Sequence, residues 1–256
     1  MTNIEHSDAS LKLFTEIFFN QREHLQKHNP YDLDRLKYTC IREGDLEQLE
    51  RSISISYEGN EGILAKDPLR SAKNLAIVII TVACRSALEG GLHYEVAFTL
   101  SDSSINTVED TTTPEAAMLV AKETQFEYCR LVNELKKYKQ NAKYTKPNVL
   151  VSKCKDYIFL HLHNKIRVQE MATALYVNPN YLSNVFKEHE GITIMHFIMN
   201  EKIKLTKNML IYSPYSFIEI TTYLGFSSQS HLGTQFKRHT GMTLREFREL
   251  YQLSKQ

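Results

Sequence analysis

The strongest constraint in this 256-residue sequence is that one stretch, Val168 to Phe247, says the same thing twice. Apolar or small residues fall at Val168, Met171, Ala172 and Leu175, and again at Phe217, Ile220, Thr221 and Leu224. Both rows have the i, i+3, i+4, i+7 spacing of a short amphipathic helix. A turn follows each, then a second stripe: Leu182, Val185 and Phe186 in the first copy, Leu232 and Phe236 in the second. Each second helix continues as Phe-Lys to a glycine, Gly191 or Gly241, then a threonine, Thr193 or Thr243, and a phenylalanine, Phe197 or Phe247. The offset is 49 residues in the first helix and 50 in the second, because the second turn is one residue longer. Two helices joined by a tight turn, repeated once, is the pattern of two helix-turn-helix units.

The second copy carries Ile218-Glu219-Ile220, Leu224-Gly225-Phe226-Ser227-Ser228-Gln229-Ser230, Phe236-Lys237 and Gly241-Met242-Thr243. These residues resemble the signature of AraC/XylS-type transcription regulators, and the resemblance covers roughly residues 149–251. It implies a DNA-binding domain with a first unit at about 166–190, a linker helix at about 194–212 and a second unit at about 216–240. It also implies that the two recognition helices enter adjacent major grooves about one helical turn (~34 Å) apart. The chain departs from the family at Tyr176, where the first turn lacks the glycine that Gly225 supplies. Lys202 and Thr206 stand where the family has arginine and alanine, and Leu244 stands where it has proline. Tyr176 implies a strained or differently shaped first turn, and Lys202 keeps a charge while losing the bidentate fork of arginine.

Given that resemblance, the outward faces of the recognition helices are the candidate base readers. In the first copy these are Asn180, Ser183 and Asn184; in the second they are Gln229, Ser230, His231 and Thr234. Asn and Gln pair bidentately with adenine, so this set suits an A/T-rich site. Lys187, Lys202, Lys237 and Arg238 are the candidate phosphate contacts, which position the protein without reading sequence. Asn178-Pro179 and Ser228 are placed to start the two recognition helices as caps. Plain solvent exposure is the competing reading for each of these residues.

Charge is distributed to match. Residues 1–145 carry 17 Lys and Arg against 22 Asp and Glu, whereas residues 146–256 carry 14 against 8. A basic half behind an acidic one fits a DNA reader attached to something else. Cys40, Cys84, Cys129 and Cys154 are too far apart in sequence for a metal-ligand pair or a disulfide framework. His161 and His163 are two residues apart and share no helix face. No metal, cofactor or catalytic constellation is expected, so the chain does not read as an enzyme. Glu5 and Asp8 lie where a signal peptide needs positive charge and an apolar run, which leads to the expectation of a cytoplasmic protein.

The N-terminal half, 1–145, reads as an all-helical bundle that senses a ligand or dimerises. Residues 1–9 are expected to fray, and Leu11, Phe14, Ile17, Phe18 and Leu25 mark an amphipathic helix that Pro30 ends. A short helix is expected over 34–41, and Asp45 caps the next, with Leu46, Leu49 and Ile53 as its face. Gly59 and Gly62 mark a loop. Asp67-Pro68 opens the most apolar helix, 68–89, which Gly90-Gly91 ends; apolar most of the way round, it is expected to be buried at the centre of the bundle, and its Leu75–Cys84 run also suits a buried strand. Further helices are expected over 93–108 and 114–139. The lysines from Lys136 to Lys146, before Pro147, mark either a solvated linker or extra phosphate contacts. In the C-terminal half, Cys154–Leu162 is expected to open as a helix with Tyr157, Ile158 and Leu162 inward. The expected partners are double-stranded DNA, RNA polymerase for an activator, and a second copy of the chain through the N-terminal half, with no membrane. The alternative is a protein-interaction module of the same all-α fold that binds DNA weakly or only with a partner.

Overall fold

The computed structural model describes residues 2–24, 28–55, 62–140, 142–143 and 148–253; Leu25, Gly59, Lys146 and Pro147, named above, lie outside them. The elements among the described residues are thirteen α-helices. The chain divides into two compact units, Met1–Lys136 and Lys137–Gln256.

The first unit contains α1 (Thr2–Glu23), α2 (Tyr31–Glu43), α3 (Leu46–Ser54), α4 (Pro68–Glu89), α5 (Tyr94–Asp110) and most of α6 (Pro114–Lys139). Local chemistry sets the starts. The Asp45 carboxylate accepts from the Gln48 amide at 2.9 Å, and Asp67 accepts from Arg70 at 2.7 Å with Pro68 in the first turn. One core gathers Cys40, Ile41, Leu49, Cys84, Tyr128 and Val132; a smaller one gathers Ala76, Ile80, Val108, Ala117 and Ala121. The strand alternative for Leu75–Cys84 is thereby set aside, since the segment lies inside α4.

Two expectations here need correction. Helix α4 is not wrapped on all sides. Ala76, Ile80, Ala83, Cys84 and Ala87 face inward, whereas Val78 is 50% exposed and Leu75, Ile77, Ile79 and Val82 are half-buried. By length and composition α4 could cross a membrane, a test that the core helix of a soluble protein also passes. Helix α1 starts at Thr2 rather than near Leu11, so residues 2–9 are helical instead of frayed. Its Leu11, Phe14, Ile17 and Phe18 form no buried face; all four are exposed.

The second unit contains α7 (Val149–Leu160), α8 (Val168–Ala174), α9 (Pro179–Glu190), α10 (Ile194–Tyr212), α11 (Phe217–Tyr223), α12 (Gln229–Thr240) and α13 (Leu244–Leu253). Helix α7 begins five residues before the expected Cys154 because Asn148 caps it, accepting from Leu150 and Val151. Ile158 is buried, while Tyr157 and Leu162 are half-buried. Val151, Cys154, Met171, Leu182, Phe186, Phe197 and Ile198 form one core. Ile203, Leu210, Ile220, Leu224, Leu232, Phe236 and Phe247 form the other. Helix α10 contributes to both, so its 19 residues, roughly 28 Å of helix, are the common wall of the two cores. All four cysteines are buried and unpaired with one another, and burial holds the Cys129 and Cys154 thiols up at about 12.

Candidate nucleic-acid interface

The repeat in the sequence is a repeat in three dimensions. Helices α8 and α11 have seven residues each, and α9 and α12 have twelve each. The turns between them make the same hydrogen bonds. Val177 donates to the Ala172 carbonyl at 2.9 Å and Tyr176 to Thr173 at 3.1 Å; Phe226 donates to Thr221 at 3.0 Å and Gly225 to Thr222 at 3.1 Å. This is the Schellman closure of a helix, which requires a left-handed residue after the last turn. Gly225 supplies it with φ 62°, and Tyr176 supplies it with φ 56°. Tyr176 is the single non-glycine residue with positive φ among the described residues. The first turn is therefore strained, and it closes its helix with the same bonds as the second.

Each recognition helix is then capped. Asn178 accepts from Asn180 and Tyr181 ahead of α9, and Ser228 accepts from His231 ahead of α12. Gly191 and Gly241, both left-handed, end the two helices. Ser216 and Glu219 form a reciprocal capping box that starts α11. The same device starts α13: Glu246 donates its amide to the Thr243 hydroxyl, and its carboxylate accepts from the Thr243 amide at 2.8 Å. That box offsets the missing proline at Leu244.

The outward faces are polar. Asn180, Asn184 and Lys187 are exposed on α9. Ser183 is half-buried and donates its hydroxyl proton to the Pro179 carbonyl at 2.8 Å, leaving only an acceptor on its outer side. On α12, Gln229, Ser230, His231, Thr234, Lys237 and Arg238 are all exposed. His231 meets the Ser227 hydroxyl at 3.0 Å through Nδ1, and its ring stands edge-on to Phe226, which fixes its direction. Helix α12 contains no acidic residue. On α9 the two acids are engaged elsewhere, Glu188 with Lys143 and Glu190 with Lys155. Tyr181, 58% exposed and adjacent to Asn180, was not among the candidates, because an aromatic beside a core leucine reads as packing.

One candidate is overturned. Lys202 cannot meet a phosphate, because it is 5% exposed and its ammonium is already bound. Nζ donates to the Asn164 carbonyl at 2.7 Å and to the Leu224 carbonyl, and it lies 5.5 Å from the centre of the Phe226 ring. Burial pulls its pKa down to about 8. The same place explains Gly225, since a Cβ there would stand 2.7 Å from the backbone of Asn164 and Lys165. Lys202 and Gly225 thus tie the α7–α8 loop, which leads into the first helix-turn-helix, to the α11–α12 turn of the second. A second buried charge does a similar job. Lys155 on α7 meets Glu190, the last residue of α9, at 2.7 Å beside the Phe197 ring. The stripe Val151, Cys154, Lys155, Ile158 was the available signal for this buried lysine.

The comparisons with known proteins fall on this same half. A family model described as a helix-turn-helix domain matches residues 171–250. Regulatory protein PocR of Salmonella typhimurium is 28% identical over 93 residues, 36% of this chain and 31% of PocR. An uncharacterised HTH-type transcriptional regulator of Staphylococcus aureus is 30% identical over 93 residues, 36% of this chain and 12% of that protein. The matched stretch therefore spans about a third of the one relative and about an eighth of the other. The C-terminal domain of AraT, a response regulator from Geobacillus stearothermophilus, has 23% identity and a TM-score of 0.40 over 41% of this chain and 88% of that one. Sequence match and repeated geometry agree on the same residues: the segment 171–250 is a helix-turn-helix domain of the AraC type.

Proposed function

We propose that the chain is a sequence-specific DNA-binding transcription regulator whose N-terminal unit senses a signal or pairs two copies. The observation that carries this reading is the pair of capped helices, α9 and α12, after turns closed by the same hydrogen bonds on a shared helix α10, with outward faces free of unpaired acid. Asn180, Ser183, Asn184, Gln229, Ser230, His231 and Thr234 read base edges. Lys187, Lys237 and Arg238 meet phosphates. The names of the relatives, a regulatory protein and HTH-type transcriptional regulators, support the same assignment. As an activator the protein would also touch RNA polymerase, and the chain would work in the cytoplasm.

The deciding experiment is selection of bound fragments from genomic DNA with the full-length chain, alongside a fragment from Lys146 to Gln256. Both are expected to enrich one motif spanning two successive major-groove turns, with affinity falling steeply as salt rises. Enrichment by the fragment alone would make the N-terminal unit an inhibitor awaiting its signal. No enrichment by either at low salt would reject DNA reading and leave the protein-interaction alternative.

A further inference from the structure

Gly233 lies in the middle of α12, where glycine weakens a helix relative to alanine. Nothing among the described residues requires it there. It is absent from the residues of positive φ, and a Cβ added to it meets no atom of the described residues within 4 Å. Gly225, by contrast, is required twice, by its left-handed φ and by the backbone wall beside it. A costly residue without an internal reason directs attention to what lies outside the chain.

What lies outside Gly233 is an open groove of about 630 Å³. One wall is the outer stripe of α12, with Gln229, Thr234 and Lys237; the other is the start of α13, with Leu244 and Arg245. The exposed lining is mostly apolar, yet a cation stands on either side and no carboxylate lines it. Glu249 lies outside and holds Arg245 at 2.7 Å in an exposed pair, which a phosphate can replace. Glu246 is occupied with the Thr243 amide. An apolar floor between two cations matches one chemical object that a recognition helix meets, a deoxyribose flanked by its phosphates.

We propose that Gly233 opens this groove so that one sugar–phosphate strand of duplex DNA seats directly against the backbone of α12. This rests on the DNA-binding reading above. The sugar packs on Gly233, and Lys237 and Arg245 take the neighbouring phosphates. The contact carries no sequence information and fixes how deeply α12 enters the major groove.

The test uses the full-length chain, a mixed-sequence duplex at low salt, and Gly233→Ala. Alanine fits the helix, so the variant is expected to melt a few degrees higher than the parent. It is also expected to bind the duplex at least tenfold more weakly. Arg245→Ala should lower the slope of log affinity against log salt by about one. A Gly233→Ala protein that binds as tightly as the parent overturns the proposal while leaving DNA binding intact, and so does an unchanged salt slope for Arg245→Ala. A parent chain that binds no duplex rejects the DNA reading itself, and the groove assignment with it.

Discussion

Tyr176 and Gly225 hold the same left-handed place in two copies of one turn, and only one of them is suited to it. A β-carbon in that region costs about 1–2 kcal/mol. The tyrosine side chain returns little of this, being 95% exposed. Tyr176→Gly should therefore stabilise the C-terminal unit by about 1 kcal/mol, after allowing for the greater freedom of glycine in the unfolded chain. Urea unfolding measures this directly, and a variant less stable than the parent would show that the turn is held by contacts of the tyrosine. The departure from the repeat was visible in the sequence; that the turn keeps its shape was not, because one residue type does not reveal whether its neighbours will enforce a strained φ. The fates of Ser183 and Lys202 were hidden for a related reason: helical spacing says which way a side chain leaves the backbone, not what waits for it.

Elements were legible where apolar spacing and end signals agreed. Helices α8, α10, α11 and α4 fall at or within a residue of their expected bounds, since each joins a periodic stripe to a cap or a breaker. Helix α1 was less legible at its start, where polar residues give no stripe to follow. Least visible was what joins one element to another. Lys202 binds carbonyls from the α7–α8 loop and the α11–α12 turn, 38 and 22 residues away in sequence. Its titration gives a signed prediction. Burial lowers the folded pKa from 10.5 to about 8, while the two carbonyls oppose this by favouring the ammonium. Between those values the unfolded chain holds a proton that the folded chain has released, so stability from this residue rises with pH. Lys202→Met removes both the donors and the titration. The variant should be less stable at neutral pH, where it leaves two carbonyls without their donor. The gap between parent and variant should widen from about pH 8 to pH 10.5 in thermal melts followed by circular dichroism. A gap that narrows across that range would mean the ammonium is not the buried group described.

At the scale of the whole molecule, each unit closes its own cores. Cys40, Ile41, Cys84 and Tyr128 belong to one set in the first unit, and the two cores that share α10 belong to the second. Units with separate cores unfold as separate cooperative steps unless something couples them. Calorimetry of the full chain should then show two transitions, and the fragment from Lys146 should reproduce one of them. The exposed row on α1 makes the other transition informative. Leu11, Phe14, Ile17 and Phe18 are between 41% and 63% exposed, an apolar row that a second copy of the chain could cover. If pairing of copies covers it, the N-terminal transition moves to higher temperature as protein concentration rises, because association with the folded state stabilises it by mass action. The C-terminal transition stays where it is. An N-terminal transition independent of concentration would reject the homodimer and leave ligand sensing as the proposed role of that unit; a single merged transition would reject the separation of the cores.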